Sequence, residues 1–126
     1  MSEFDALTRL DKIFKNLDRL IKDYKPNLLG IEELFFFKNA KTVMKISEAR
    51  GVILLATKRN KIKIIELTPL QVKQYITGYG RADKKQIQQL VKNYFNLDKI
   101  PKPDDAADAL AICIASICHL EKKGGE

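Results

Sequence analysis

Three carboxylates carry the chemistry open to this chain: Asp105, Asp108 and Glu32. Asp105 and Asp108 stand three apart in Pro103-Asp104-Asp105-Ala106-Ala107-Asp108-Ala109-Leu110-Ala111, so on a helix they share a face; Asp104 and Asp108, four apart, could do so as well. Like charges on one face repel unless a cation binds between them. The alanines at 106, 107, 109 and 111 let the helix backbone approach a neighbour closely, which suits carboxylates pressed against the end of a strand. Hard divalent cations such as Mg2+ prefer oxygen ligands of this kind. Two such ions can stabilise both the attacking and the leaving oxygen of a phosphodiester in line. The plain alternative is that these acids only complement the positive N-terminal end of their helix, and the spacing alone leaves both readings open.

Glu32 closes a short apolar run, Leu28, Leu29 and Ile31, that follows Pro26 and lies between two helical patterns. Such a run predicts a buried parallel strand. A carboxylate at the tip of a buried strand is costly without a charged partner, and ligands of open α/β sheets gather outside the carboxyl ends of the strands. Glu32 therefore stands where a metal or substrate would sit. Phe35, Phe36 and Phe37 follow, with Lys38 and Asn39 behind them. Aromatics beside basic groups suit stacking on nucleic-acid bases; the alternative is that the phenylalanines are core and Glu32 is a solvated loop residue.

The elements that must position these groups read as follows. Leu7, Leu10, Phe14, Leu17, Ile21 and Tyr24 repeat at spacings of three and four, a helix ended by Lys25-Pro26 and expected to pack on a sheet. Asn39 to about Arg59 reads as a helix apolar on nearly every side, so one face needs another helix or another subunit. Gly51 within it permits close backbone approach, a hint of a homodimer. Lys61 to Leu67 alternates and is rich in isoleucine, which predicts a second strand. Thr68 as N-cap and Pro69 at the first helical position start a helix to about Ile76. Gly78-Tyr79-Gly80-Arg81 is a basic turn, and Asp83 caps a helix with Ile87, Leu90, Val91 and Tyr94 as its apolar positions. After a linker at 99–103, the last helix runs from Asp104 to about Lys122, with a frayed Gly124-Gly125 tail.

The 126 residues are enough for one domain, and 45% hydrophobic with 31% charged residues is ordinary globular composition. No apolar run approaches membrane-spanning length and no signal-peptide pattern opens the chain. A net charge of +7 favours a polyanionic partner, nucleic acid first and an anionic membrane second. Cys113 and Cys118, five apart on one helix, are separated by roughly 7.5 Å of rise, more than a disulfide spans comfortably. They read as reduced core thiols of a cytosolic protein. There is no Cys/His cluster for zinc, and His119 near a helix end reads as a capping or solvated residue.

Four segments, in order, resemble the RuvC Holliday junction resolvases: Gly-Ile-Glu-Glu-Leu-Phe at 30–35 with Lys38-Asn39; Glu48-Ala49-Arg50-Gly51; Pro-Leu-Gln-Val-Lys-Gln at 69–74 with Gly-Tyr-Gly at 78–80; and Asp-Ala-Ala-Asp-Ala-Leu-Ala at 105–111. The similarity covers roughly residues 7–119. It implies an RNase H-like α/β fold, a homodimer, and paired nicking of four-way junction DNA by four acidic residues with Mg2+, two ions being expected and Mn2+ able to substitute. It implies that Glu32, Asp105 and Asp108 are the second, third and fourth of those acids, serving as catalytic groups and metal ligands. Phe35 matches an aromatic that stacks near the cleavage point, and Lys73 and Lys84 match basic residues that contact DNA. Arg81 is assigned to DNA binding from its charge and its loop. A branch-migration helicase complex as partner, a cytoplasmic setting and no membrane association follow from the same resemblance.

The family opens with a strand bearing the first catalytic aspartate and continues with two more strands, and this chain shows neither; Asp5 has no strand before it. The expectation is a single resolvase domain over 1–126 with its N-terminal part missing, two parallel strands and five helices remaining, and no catalysis by this chain alone. The edge of the 28–32 strand should then be covered by the first helix, by another copy, or by exchange between protomers. A reading from another class is a DNA-binding or dimerisation module derived from a resolvase, in which the carboxylates no longer act.

Overall fold

Seven elements follow in the expected order: α1 (Glu3–Tyr24), β1 (Leu28–Glu32), α2 (Ala40–Arg59), β2 (Lys63–Leu67), α3 (Pro69–Thr77), α4 (Lys84–Tyr94) and α5 (Asp104–Gly124). They are drawn from a computed structural model that describes residues 3–33, 40–78 and 80–124. β1 and β2 form a two-stranded parallel sheet. The chain divides into two compact units. One holds α1, α2 and the first two residues of each strand; the other holds the remainder of both strands with α3, α4 and α5. Among the described residues no helix is long and apolar enough to cross a membrane.

In the first unit α1 packs chiefly on α2, where the sequence led us to expect a sheet. Ile21 is the buried member of the apolar stripe of α1. The helix ends at Lys25, whose φ of 49° lies in the left-handed region and whose amide donates to Ile21 O at 2.8 Å. Asn60, just past α2, donates through Nδ2 to Asp18 Oδ1 and to Ala56 O, both at 2.8 Å, so one side chain caps α2 and grips α1. That bond, with help from Lys22, holds the Asp18 carboxyl below its ordinary range. Burial along α2 falls on Ala56 and Thr57, while Met44 and Leu55 are 64% and 53% exposed. Met44, Gly51 and Leu55, seven and four apart, lie on one stripe of that helix. A Cβ at Gly51 would meet nothing within 4 Å, so no described backbone approaches there.

In the second unit β2 turns Ile65 and Leu67 inward and Glu66 outward, the period of a half-buried strand. α5 packs against both α3 and α4. Its buried stripe is Ala107, Ala111, Ile114, Ala115 and Ser116, mostly small side chains. Val72 of α3 and Ile87 and Val91 of α4 complete the core. Tyr75 Oη and His119 Nδ1 are hydrogen-bonded at 2.6 Å, with the rings edge-to-face, joining α3 to α5. His119 is thus neither a cap nor merely solvated. α5 also crowds β1: a Cβ on Gly30 would overlap Ser116 Oγ and lie 3.2 Å from Ile112 Cγ2. The two cysteines are free, and Cys113 is exposed where a core position was expected, with the burial of its thiol still enough to push it up.

Candidate active site

Both helices that flank the site are fixed by their own N-terminal chemistry. Thr68 Oγ1 accepts from the Gln71 amide at 3.0 Å while Gln71 Oε1 accepts from the Thr68 amide at 2.8 Å, a closed capping box that starts α3. Asp83 and Gln86 build the same box for α4, at 2.8 and 2.9 Å. Gly78, at φ 87°, ends α3 by donating its amide to Gln74 O at 2.8 Å. On the strand side, the Glu33 amide donates to Leu67 O at 2.7 Å, so the ladder runs one residue past β1 and holds the tip that carries Glu32.

These elements enclose a cleft of about 260 Å³. Its charged lining is Glu32 from the end of β1, Asp108 from the second turn of α5, Lys73 from α3 and Lys84 from the start of α4. Its apolar lining is Pro69, Val72, Ile87 and Ala111. The Glu32 carboxyl is pushed above its ordinary range, first by burial and then by the negative charge of Asp108, with Lys73 pulling the other way. The cleft therefore holds a raised Glu32 carboxyl, the Asp108 charge that helps raise it, and two lysines. The Lys84 ammonium is pushed up by its hydrogen bond to Asp104, Nζ to Oδ2 at 3.0 Å, and by the charges of Asp104, Asp108 and Asp105.

Glu32, Asp108, Lys73 and Lys84 thus line one cleft. Asp105 does not line the cleft; it lies one turn earlier on α5, exposed, near enough for its charge to reach Lys84. Arg81 is exposed in the turn before α4 and is also outside the lining. Phe35 lies outside the described residues. Asp104, paired by sequence spacing with Asp108, instead spends its carboxylate on Lys84. Among the described residues no group of three or more His, Cys, Asp or Glu side chains is arranged to hold a metal. What the cleft offers a hard divalent cation is a pair of carboxylates whose mutual repulsion the cation would relieve. Among the described residues that pair, Glu32 and Asp108, is the part of a cation site that the cleft supplies.

Comparison with known proteins follows the same line. The family model described as crossover junction endodeoxyribonuclease RuvC matches residues 1–119. A crossover junction endodeoxyribonuclease RuvC of Fusobacterium nucleatum is 57% identical over 115 residues, covering 91% of this chain and 60% of the relative. That of Natranaerobius thermophilus is 52% identical over 120 residues, covering 95% of this chain and 73% of the relative. This chain thus spans between three fifths and three quarters of the length of these two curated relatives. Among solved structures, Thermus thermophilus RuvC superposes with a TM-score of 0.88 at 27% identity, over 98% of this chain and 75% of that one. The same protein in complex with a Holliday junction substrate gives 0.85 at 24% identity, over 97% and 74%, a likeness of fold. The two strands and five helices described above are accordingly a portion of an RNase H-like α/β architecture. With a family model matched from residue 1 to 119 and relatives more than half identical over nine tenths of its length, this chain belongs to the RuvC family of crossover junction endodeoxyribonucleases.

Proposed function

We propose that this chain acts in Holliday junction resolution, as a structure-selective DNA endonuclease making paired phosphodiester nicks in recombination and repair. The observation that carries the reading is the cleft lined by Glu32 and Asp108 together with Lys73 and Lys84. Glu32 and Asp108 would hold Mg2+, with Asp105 next along α5 as a further ligand. When bound, the ion would supply positive charge at the scissile phosphate and at an activated water. The chain's own groups do the rest: Lys73 and Lys84 bind phosphate oxygens, beside an apolar wall of Pro69, Val72 and Ile87. Phe35 would stack on a base near the cut and Arg81 would contact the DNA backbone.

The wider assembly belongs to the same proposal. The exposed stripe of Met44, Gly51 and Leu55 on α2 supports a homodimer, because two large exposed apolar side chains beside an open glycine suit close packing by a second copy, with Glu48 on the same stripe. A branch-migration helicase complex and a cytoplasmic setting accord with this role. Binding and cutting of synthetic four-way junctions test the reading. The chain should prefer a junction over a linear duplex of the same sequence, Lys73→Gln should weaken that binding, and Asp108→Asn should weaken Mn2+ binding read by electron paramagnetic resonance. Any Mg2+-dependent nicking should vanish in Asp108→Asn. Equal affinity for junction and duplex, or Mn2+ binding indifferent to Asp108, would overturn it.

A further inference from the structure

Lys84 lines the cleft, yet its ammonium is bonded outside it. Nζ lies 3.0 Å from Asp104 Oδ2, and Asp104 is not part of the lining. Asp104 opens α5 and Lys84 opens α4, so the bond ties the N-terminal ends of two helices that pack on each other. Both side chains are 57% exposed, so water and salt reach the pair, and it can open without unfolding anything. Asp105 and Asp108 also act on the same ammonium, but through charge alone.

A DNA phosphate entering this cleft would ask for the same cation. Lysine carries one compact charge on a flexible stem, and an ammonium already hydrogen-bonded to a carboxylate is partly neutralised toward a second anion. We infer that Asp104 is a positioning residue that tethers Lys84 at the rim of the cleft and competes with DNA phosphate for it, so that the pair sets how tightly and how salt-dependently the junction is held. This rests on the nucleic-acid reading of the cleft given above. Asp104 itself touches neither the cleft nor the reacting atoms.

A double-mutant cycle on the full 126-residue chain tests it, with junction affinity measured in EDTA so that no cutting intervenes. Asp104→Asn should tighten binding by roughly two- to fivefold at low salt, the range an exposed ion pair commands. Asp104→Glu, which keeps the charge, should stay near wild type. Lys84→Gln should weaken binding and flatten the slope of log affinity against log salt by about 0.9, one phosphate contact. The deciding arm is Lys84→Gln with Asp104→Asn, which should bind no better than Lys84→Gln alone. If Asp104→Asn gives the same gain with and without Lys84, Asp104 merely repels DNA and the tether is refuted; no gain in either background refutes it too. Failure of the underlying reading looks different: wild type would not prefer junction to duplex, and Lys84→Gln would change nothing. Circular dichroism checks that each variant is folded.

Discussion

Gly30→Ala is the sharpest test of how the second unit is packed. Gly30 does not sit in the left-handed region, so its backbone does not call for glycine. What calls for it is α5: an added Cβ would overlap Ser116 Oγ and stand 3.0 Å from Ser116 Cβ. Overpacking a close-packed site costs about 1–3 kcal/mol, and replacing a mid-strand glycine by alanine returns about 0.5–1 kcal/mol. The net expected loss is about 1–2 kcal/mol, or about 4–8 °C in Tm for a domain of this size. Ser116 Oγ is buried and has no hydrogen-bond partner among the described residues. Deleting it relieves an unmet polar group, so Ser116→Ala should be neutral or stabilising by up to about 1 kcal/mol. The pair should then be coupled, with Gly30→Ala costing about 1 kcal/mol less in the Ser116→Ala background than in wild type. Urea unfolding of the four proteins measures this. Strict additivity, or a Gly30→Ala variant as stable as wild type, would show that α5 does not press on β1 here.

Two further outcomes are expected. Because the Glu32 carboxyl is raised in the folded chain, the folded state holds its proton to higher pH than the unfolded chain does, so stability contributed by this group falls as pH rises from its ordinary value through its raised one. Glu32→Gln should therefore gain stability over wild type at neutral pH and lose that advantage at pH 4 and below, and thermal melts across that range would expose a flat difference if burial and Asp108 were not at work. Leu55→Lys should leave the fold intact while weakening self-association in sedimentation runs, since it puts a charge into the exposed stripe of α2; an unchanged association constant would place the dimer contact elsewhere.

The signals that could be read from the chain alone were the ones carried by neighbours in sequence. Thr68 and Asp83 announced the starts of α3 and α4 because a cap needs only the next three residues, and both caps are present. The apolar run ending in Glu32 marked β1, whereas the Asp-Ala-Ala-Asp spacing joined Asp105 to Asp108 and only Asp108 lines the cleft. β2 starts two residues later than alternation suggested, because Lys61 adopts φ 60° and Asn60 still serves the end of α2. Contacts across long loops were not legible. Asp104 meeting Lys84, Tyr75 meeting His119 and Ser116 filling the space beside Gly30 each join residues brought together only by packing. Periodicity also says that a side chain is apolar without saying what covers it, which is why Cys113 and Leu55 are exposed.

The bond between Tyr75 and His119 has a bearing on the cleft some distance from it. α3 touches α5 beside the cleft, where Val72 and Lys73 share a lining with Asp108 and Ala111, and again at His119, eleven residues beyond Asp108. That separation is about 16 Å along the helix. The backbone positions of Lys73 and Asp108 are set by the packing of α3 on α5 before any nucleic acid arrives, while the Lys73 stem keeps its freedom to reach a phosphate.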